Sequence, residues 1–480
     1  MTQSYTSTLA EHAVSVRFED LPPTTVEATK VLILDTLAAT VGGRHMPSTQ
    51  IVADVRLAEG GLPQARVLNT GEWTSIAGAT HVNAHMTNAL DIEDTISHSG
   101  HHSACTVPPA LTVAEAIGAS GEDLIAAVAV SYDIGARIAR SCQQLNVVDG
   151  ERVEIAAVTG LTYAAFSSVI ATGCLIGLSA DQMRHAIGIT MSTAGLPTAG
   201  RWAETRSPRP MTKYAMYGAL AEAGVRAAYL ASAGFTADMD ALDGERGFWR
   251  IISSLSVDWE WLTKDLGELY LGDQTSFKLF PACHWAIPAL DIFDRIRREE
   301  DLKAGDISVL EARVPAGAVA KFMDRPDVDS VIDGQFSIPH ALALAAVYGD
   351  AGPHWHTEKA RTDPDVLGFR DRVAVVPNAD ADAEMRAYLL KHGYCDLLPT
   401  EVTVRTVDGR TFTGFQEYGR GDFWEGCQTA SYDDIARKFL AFASPSLAER
   451  AGVALDLIGR LEFVGDVTEL VNALCQEPSS

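Results

Sequence analysis

VPPALTVAEAIGASGEDLIAAVAVSYDIGARIARS (Val107–Ser141) is apolar on most sides and rich in alanine. Small residues at this density suit helices that pack closely, and Ser120-Gly-Glu-Asp123 in its middle has the spacing of a capping box opening the second of two helices. Downstream, GLTYAAFSSVIATGCLIGLS (Gly160–Ser179) repeats the pattern. Ser179-Ala-Asp-Gln182 is a further capping box, and YGALAEAGVRAAYLASAGF (Tyr217–Phe235) is a helix ending at a glycine. Upstream, ATKVLILDTLAATVGG reads as a buried helix, preceded by Pro22-Pro23 and stopped by Gly42-Gly43. The first ~250 residues therefore read as all-helical by periodicity.

The pattern changes near Leu271. ISVLEARV, DRVAVVP and TEVTVRTVDGRTFTGF are β-type runs, and the last alternates with period two around Asp408-Gly409, a hairpin pattern. SIPHALALAAVYGD between them is helical. This predicts a smaller α+β domain over about 276–415. YDDIARKFLAFA, LAERAGVALDLIGRLEF and VTELVNALC are helical again, and two or three helices alone bury too little surface, so 416–480 is expected to rejoin 1–275. The fold class is mainly α.

Composition narrows the function. The 480 residues are 47% hydrophobic and 21% charged, an ordinary globular balance with no run long enough to span a bilayer; no basic n-region followed by an apolar h-region stands at the start, so a secretory leader is not expected. A cytoplasmic location is the default expectation, with no membrane partner. A net charge of −25 opposes nucleic-acid binding and requires a site for an anion to bring its own cations. Seven dispersed cysteines without a CxxC pair argue for reduced thiols and against a zinc or iron–sulfur framework.

Three clusters could hold chemistry. HVNAHMTNALDIEDTISHSGHHSACTVPP (His81–Pro109) has five of the thirteen histidines and the carboxylates Asp91, Glu93 and Asp94 between apolar flanks. Such surroundings shift pKa values. Asp91, Thr95 and His101 fall within a stretch that reads as a loop, where acid, hydroxyl and imidazole can converge; the plainer alternative is that the acids cap helices. His81-x-x-x-His85 sets two imidazoles on one helix face, as in zinc sites, but Val82 stands where a zinc protease has its glutamate, and no metal is assigned. The second cluster is SPRPMTKYAMYGAL, with Lys213 near a helix start and Arg201, Arg206 and Arg209 upstream. It suits a carboxylate, the alternative being a solvated charge run. The third, QTSFKLFPACHWAIPALD, brings Lys278, Cys283 and His284 to the junction of helical and α+β regions, where clefts form. Adjacent residues in an extended segment point opposite ways, so Cys283 and His284 do not suit a nucleophile pair, and Lys278 is the better candidate as an anion anchor.

Over most of its length the chain resembles the MmgE/PrpD family, which includes 2-methylcitrate dehydratases, cis-aconitate decarboxylases and an iminodisuccinate epimerase. The resemblance rests on N-A-L-D-I-E-D-T (Asn88–Thr95), the His101/Ser103/Val107-Pro108 run, P-M-T-K (Pro210–Lys213), LASAGFTADMDALDGERGFW (Leu230–Trp249) and KLFPACHW (Lys278–Trp285). It implies a helical domain made from both chain ends, an inserted α+β lid, a homodimer, and an interdomain site needing no metal or organic cofactor. It places active-site positions on Asp91, Thr95, His101, Lys213 and Lys278. The substrate class it implies is a small di- or tricarboxylate, reacting through a carbanion next to a carboxylate.

In that chemistry His101 is the main acid/base, Asp91 orients it or shares the proton, and Lys213 and Lys278 clamp carboxylates. Thr95, Ser103 and Arg201 are substrate-binding candidates, with His284 a second proton donor for a leaving hydroxyl. Dehydration of a 2-alkylcitrate-like acid is the first expectation. Decarboxylation of a cis-aconitate-like acid and epimerisation are the alternatives, and a non-catalytic carboxylate-binding protein is the alternative of another class. Departures from the family pattern fall at Glu154, where relatives often have a histidine, at Phe322-Met-Asp-Arg-Pro326, and in the Gly419–Gly426 loop.

Overall fold

The computed structural model describes residues 4–476 except 97–99, 144, 149–151, 156–160, 196–200, 203, 245, 321, 393 and 425–426, with 145–148, 152–155 and 427–428 described for backbone only. The principal helices are α1 (Pro23–Gly42), α2 (Ile76–Ala89), α3 (Val107–Ile117), α4 (Gly121–Ser141), α5 (Ala164–Leu175), α6 (Ala180–Thr193) and α7 (Tyr217–Ser232). After them come α8 (Ile287–Glu299), α9 (Ile338–Tyr348), α10 (Ala379–His392), α11 (Tyr432–Leu447), α12 (Arg450–Gly459) and α13 (Thr468–Ala473). The protein is mainly α, as its periodicity predicts. Among the described residues no helix is long and apolar enough to cross a membrane.

Local rules account for the helix ends. Ser120 and Ser179 form their capping boxes with Asp123 and Gln182, and Pro23 sits in the first turn of α1, where no N–H is needed. Close packing follows from small residues. A Cβ on Gly43, just after α1, would lie 2.1 Å from the Met86 carbonyl of α2, and one on Gly135 would lie 1.9 Å from Ser167 Oγ. The first would push α1 and α2 apart, since a backbone carbonyl cannot swing away, and the second would require the Ser167 side chain to turn aside.

Two apolar cores result. One gathers residues from Leu9 to Phe277 and again from Ala430 to Cys475, so α11–α13 pack into the same core as α1–α7. The other runs from Phe280 to Val404. It covers a four-stranded sheet of β1 (Ile307–Val314), β2 (Val373–Pro377), β3 (Thr400–Thr406) and β4 (Thr411–Gln416), in the order β2-β1-β3-β4. The β1–β2 pair is parallel and the others are antiparallel. β3 and β4 turn through Asp408-Gly409, with Gly409 at φ +92°, where a side chain would be strained. α8 packs on β3 and β4 and α9 on α8.

The all-helical reading of the first ~250 residues needs correction. Ala65–Arg66 pairs with Trp73–Thr74, and Leu145–Val148 pairs with Arg152–Ile155. Val147, Val148 and Val153 flank Asp149-Gly150, the same local chemistry as at Asp408-Gly409, in strands too short for a clear two-residue period.

The inserted core also holds buried histidines. Burial lowers His340 to about 3 and His356 to about 4, the latter opposed by its hydrogen bond from Nε2 to the Pro281 carbonyl at 2.6 Å. Each folded value is depressed below the unfolded ~6.5, so the stability these rings contribute is complete above pH ~6.5 and is lost as the pH falls towards 4. In that window each contributes a slope of about 1.4 kcal/mol per pH unit. Urea midpoints should be nearly level from pH 8 to 7 and fall steeply from 6.5 to 5. A His340→Gln variant should show a shallower fall. A midpoint equally flat across both ranges would contradict the neutral, buried state of these rings.

Candidate active site

α2 ends at Ala89 and the chain turns through Asp91 at φ +58°, an αL conformation that aspartate tolerates better than bulky residues. Lys213, far along the chain, also adopts positive φ, +49°. The two meet in the interior: Lys213 Nζ donates to Asp91 Oδ1 at 2.8 Å and to the Asn88 carbonyl at 2.7 Å. Tyr214 OH donates to the same carboxylate oxygen at 2.8 Å and accepts from Asn88 Nδ2 at 2.8 Å. Asn88 Nδ2 also donates to Glu93 Oε1. Lys278 reaches the other face of Asp91, its Nζ 3.7 Å from Oδ2, and is only 1% exposed.

The electrostatics follow from this crowding. Burial disfavours charge on Asp91, but Lys213, Lys278 and His101 outweigh it and hold the carboxyl far below its ordinary range. Burial likewise opposes the Lys278 ammonium, and Asp91 and Glu93 more than compensate, so it stays protonated. Yet, among the described residues, Lys278 Nζ makes no hydrogen bond, and Glu93 Oε2 and Ser103 Oγ are also buried without a hydrogen-bond partner. A buried ammonium with empty donor sites is costly unless a ligand anion fills them.

His101 is placed by Asp94. The Asp94 carboxylate accepts the amides of His102 and Ser103, each at 3.2 Å, and the Tyr132 hydroxyl at 2.6 Å. The Asp94 backbone carbonyl accepts from His101 Nδ1. A carbonyl can only accept, so Nδ1 bears the proton and Nε2 of the neutral ring is left as the base. Burial and the Lys278 charge lower the His101 pKa, against the pull of Glu93, Asp94 and Asp91. The ring stacks on Tyr214 with centroids 5.7 Å apart.

Thr95 ties this loop to the segment leading to Lys278. Its N–H donates to the Ser276 carbonyl at 2.9 Å and its carbonyl accepts the Ser276 amide at 2.8 Å. Thr95 and Ser276 line a cleft of about 240 Å³ together with His284, Asp422 and Leu397. Across it, His284 Nε2 lies 2.8 Å from Asp422 Oδ1.

The structure thus brings Asp91, Lys213 and Lys278 into direct contact, with His101 against Tyr214 and Thr95 and His284 on one cleft. Ser103 is buried, its amide on Asp94. Arg201 is not part of this set. It is 75% exposed, pairs with Glu204 at 3.2 Å, and borders a separate cavity of about 460 Å³ that Lys213 and Tyr214 also line. His81 Nδ1 is engaged by Glu222 at 2.7 Å, and that carboxylate also receives Arg56 and Arg226. His85 is lowered to about 4, by burial first and then by the charges of His81 and Lys213. No three metal-ligating residues come together among the described residues.

Several contributors escaped the sequence reading. Tyr214 sits beside Lys213 and could have been named with it. Tyr132 lies inside an Ala-rich helix with no local mark. Gln335, from the inserted core, donates to the Ala89 carbonyl at 2.7 Å, and its position is a purely tertiary fact. Of the family departures, the side chain of Glu154 and residues 156–160 lie outside the described residues. Phe322 is at φ +60° with the Arg325 guanidinium 4.3 Å from its ring centre. In the Gly419–Gly426 loop, a Cβ on Gly421 would lie 2.1 Å from the Phe277 carbonyl, so that loop closes tightly on the Lys278 segment; residues 425–426 lie outside the described residues.

The chain belongs to the MmgE/PrpD family: the family's N-terminal domain matches residues 7–260 and its C-terminal domain residues 280–461. Among curated proteins it is 26% identical to the human (Homo sapiens) cis-aconitate decarboxylase, over 99% of this chain and 95% of that one. It is 25% identical to the mouse (Mus musculus) cis-aconitate decarboxylase, over 82% and 78%, and 24% identical to one from Aspergillus terreus, over 71% of each.

Proposed function

We propose that this chain is a cofactor-independent lyase that removes carbon dioxide from an unsaturated tricarboxylate of the cis-aconitate type. The observation that carries this reading is the buried, hydrogen-bond-free ammonium of Lys278 facing Asp91. The relatives' decarboxylase activity moves carbon dioxide loss ahead of the dehydration that the sequence first suggested.

In this reading a substrate carboxylate fills the vacant donors of Lys278. The C–C bond to the leaving carboxylate breaks, carbon dioxide departs, and the electron pair spreads into the conjugated acid as an enolate-like carbanion. A fixed ammonium beside that developing charge is a strong stabiliser where water is excluded. The carbanion then takes a proton from Nε2 of His101. The resting ring is neutral, and an arriving polyanion raises its proton affinity, so substrate binding itself favours loading the proton. Solvent resupplies it for the next turnover. If the substrate is instead a hydroxy acid, the same groups serve dehydration: His101 takes the proton next to the carboxylate, and His284, oriented by Asp422, protonates the departing hydroxide.

Proton NMR in D2O with cis-aconitate, 2-methylcitrate, citrate and iminodisuccinate distinguishes these outcomes. Decarboxylation of cis-aconitate should release carbon dioxide and leave one solvent deuterium on carbon in the product. A new alkene from a hydroxy acid would make the chain a dehydratase. Deuterium exchange without loss of a group would make it an epimerase, and no change in any acid would overturn the reading.

A further inference from the structure

Lys438 lies on α11, near the end of the chain, and only 5% of it is exposed. Its ammonium donates to Asp35 Oδ1 on α1 at 2.5 Å and to the carbonyl of Ile92 at 2.6 Å. Asp35 is wholly buried, and among the described residues its second oxygen has no hydrogen-bond partner. Around this pair the α1–α11 contact is apolar, with Leu34, Ala38, Ile435, Phe439 and Phe442 all in the same core. Apolar residues of similar volume often pack in such places as stably as a buried ion pair, so the charges point to a role besides stability.

The position of the carbonyl does account for them. Ile92 separates Asp91, held at positive φ between two lysines, from Glu93, whose Oε1 accepts from Asn88. A backbone in a sparsely populated conformation persists only where its surroundings over-determine it. Asn88 and Lys213 hold the turn on one side, and Lys438 holds it on the other. Burial pushes Asp35 up to about 6 against the pull of Lys438, and burial lowers Lys438 against the pull of Asp35, so each group depends on the other for its charge.

We propose that Lys438, paired with Asp35, is a positioning residue that fixes the peptide between Asp91 and Glu93 and so sets the aim of the Asp91 carboxylate on Lys213 and Lys278. The inference rests on the reading that Asp91 lies at the reacting centre. It gives α11 a part in the catalytic machinery without any contact with substrate.

Three variants separate this role from simple support of the fold. Asp35→Asn removes the carboxylate but leaves a lysine nitrogen that, charged or neutral, can still donate to the Ile92 carbonyl. Lys438→Met removes it and strands a buried carboxylate. The double variant Asp35→Asn/Lys438→Met removes both charges, leaves no unpaired ion, and serves as the test should the single lysine variant fail to fold. Two readouts are taken on each: kcat and KM for the decarboxylation, and hydrogen–deuterium exchange of the 90–96 segment. Misplacement of a reacting group by about 1 Å can cost up to about 10²-fold in rate. The lysine and double variants should therefore lose kcat on that scale with KM little changed, and exchange in 90–96 should quicken in both. Asp35→Asn should be the mildest of the three on both counts. A folded double variant with the parent kcat and unchanged exchange would overturn the proposal. If the parent protein converts none of the acids, the functional reading fails, while exchange of 90–96 still decides whether Lys438 holds this turn.

Discussion

Replacing Lys278 by methionine should lower kcat by about 10²–10³-fold while leaving the urea midpoint unchanged or slightly raised. The rate loss is the scale on which one fixed donor to a developing oxyanion is worth. Unchanged stability follows from what Lys278 does in the resting protein. Among the described residues its ammonium has no hydrogen-bond partner; it lies 3.7 Å from the nearest Asp91 oxygen, and the residue is 1% exposed. Its removal leaves Asp91 still bonded to Lys213 and Tyr214. Active sites commonly hold groups that cost stability for the sake of function. The contrast is Lys213→Met, which deletes hydrogen bonds to both Asp91 and the Asn88 carbonyl. Breaking a buried pair by removing one partner costs roughly 3–5 kcal/mol, so that variant should be visibly destabilised as well as inactive. Parallel urea titrations and initial rates on the two proteins make the comparison. Equal destabilisation of both would show that Lys278 supports the fold instead of waiting for an anion.

His101→Asn should lose roughly 10²–10⁴-fold in kcat, the range that general acid–base catalysis supplies, with folding retained. Asparagine is chosen because its Nδ2 can take the place of Nδ1 and continue to donate to the Asp94 carbonyl, while nothing replaces Nε2. The network that places the loop, the Asp94 carboxylate with Tyr132 and the His102 and Ser103 amides, does not involve the imidazole. A thermal midpoint close to the parent's is therefore expected, with KM little altered because the lysines still bind the carboxylates. The product released in D2O gives a second check: residual turnover should lose the pH dependence that a titrating imidazole imposes. A variant with parent activity would remove His101 from the proton-transfer role and direct attention to His284, held by Asp422 across the neighbouring cleft.

Much of this protein was legible in its sequence because much of it is local. The capping boxes at Ser120 and Ser179, the proline-opened α1 and the Asp408-Gly409 hairpin depend on residues a few positions apart, where backbone sterics and orphan amides decide the outcome. The loop bearing Asp91, Thr95 and His101 stood out for the same reason: its acids and imidazoles are close in sequence. The short strands around Asp149-Gly150 were missed because four residues are too few to show a period against helical neighbours.

Other features belong to the tertiary structure alone. Lys213 and Lys278 reach Asp91 from more than a hundred residues away, and only the packing of distant segments puts one in hydrogen-bond contact and leaves the other with empty donors. Arg201 shares the cationic run with Lys213 but ends in water beside Glu204, because charge density along the chain does not say which side chain turns inward. Tyr132, Gln335 and Lys438 sit on helices whose sequences give no local cue to their partners. A long-range hydrogen bond has no period and no spacing. It exists only once the chain has closed on itself, so the residue types of the site could be read from the sequence, and their aim only from the fold.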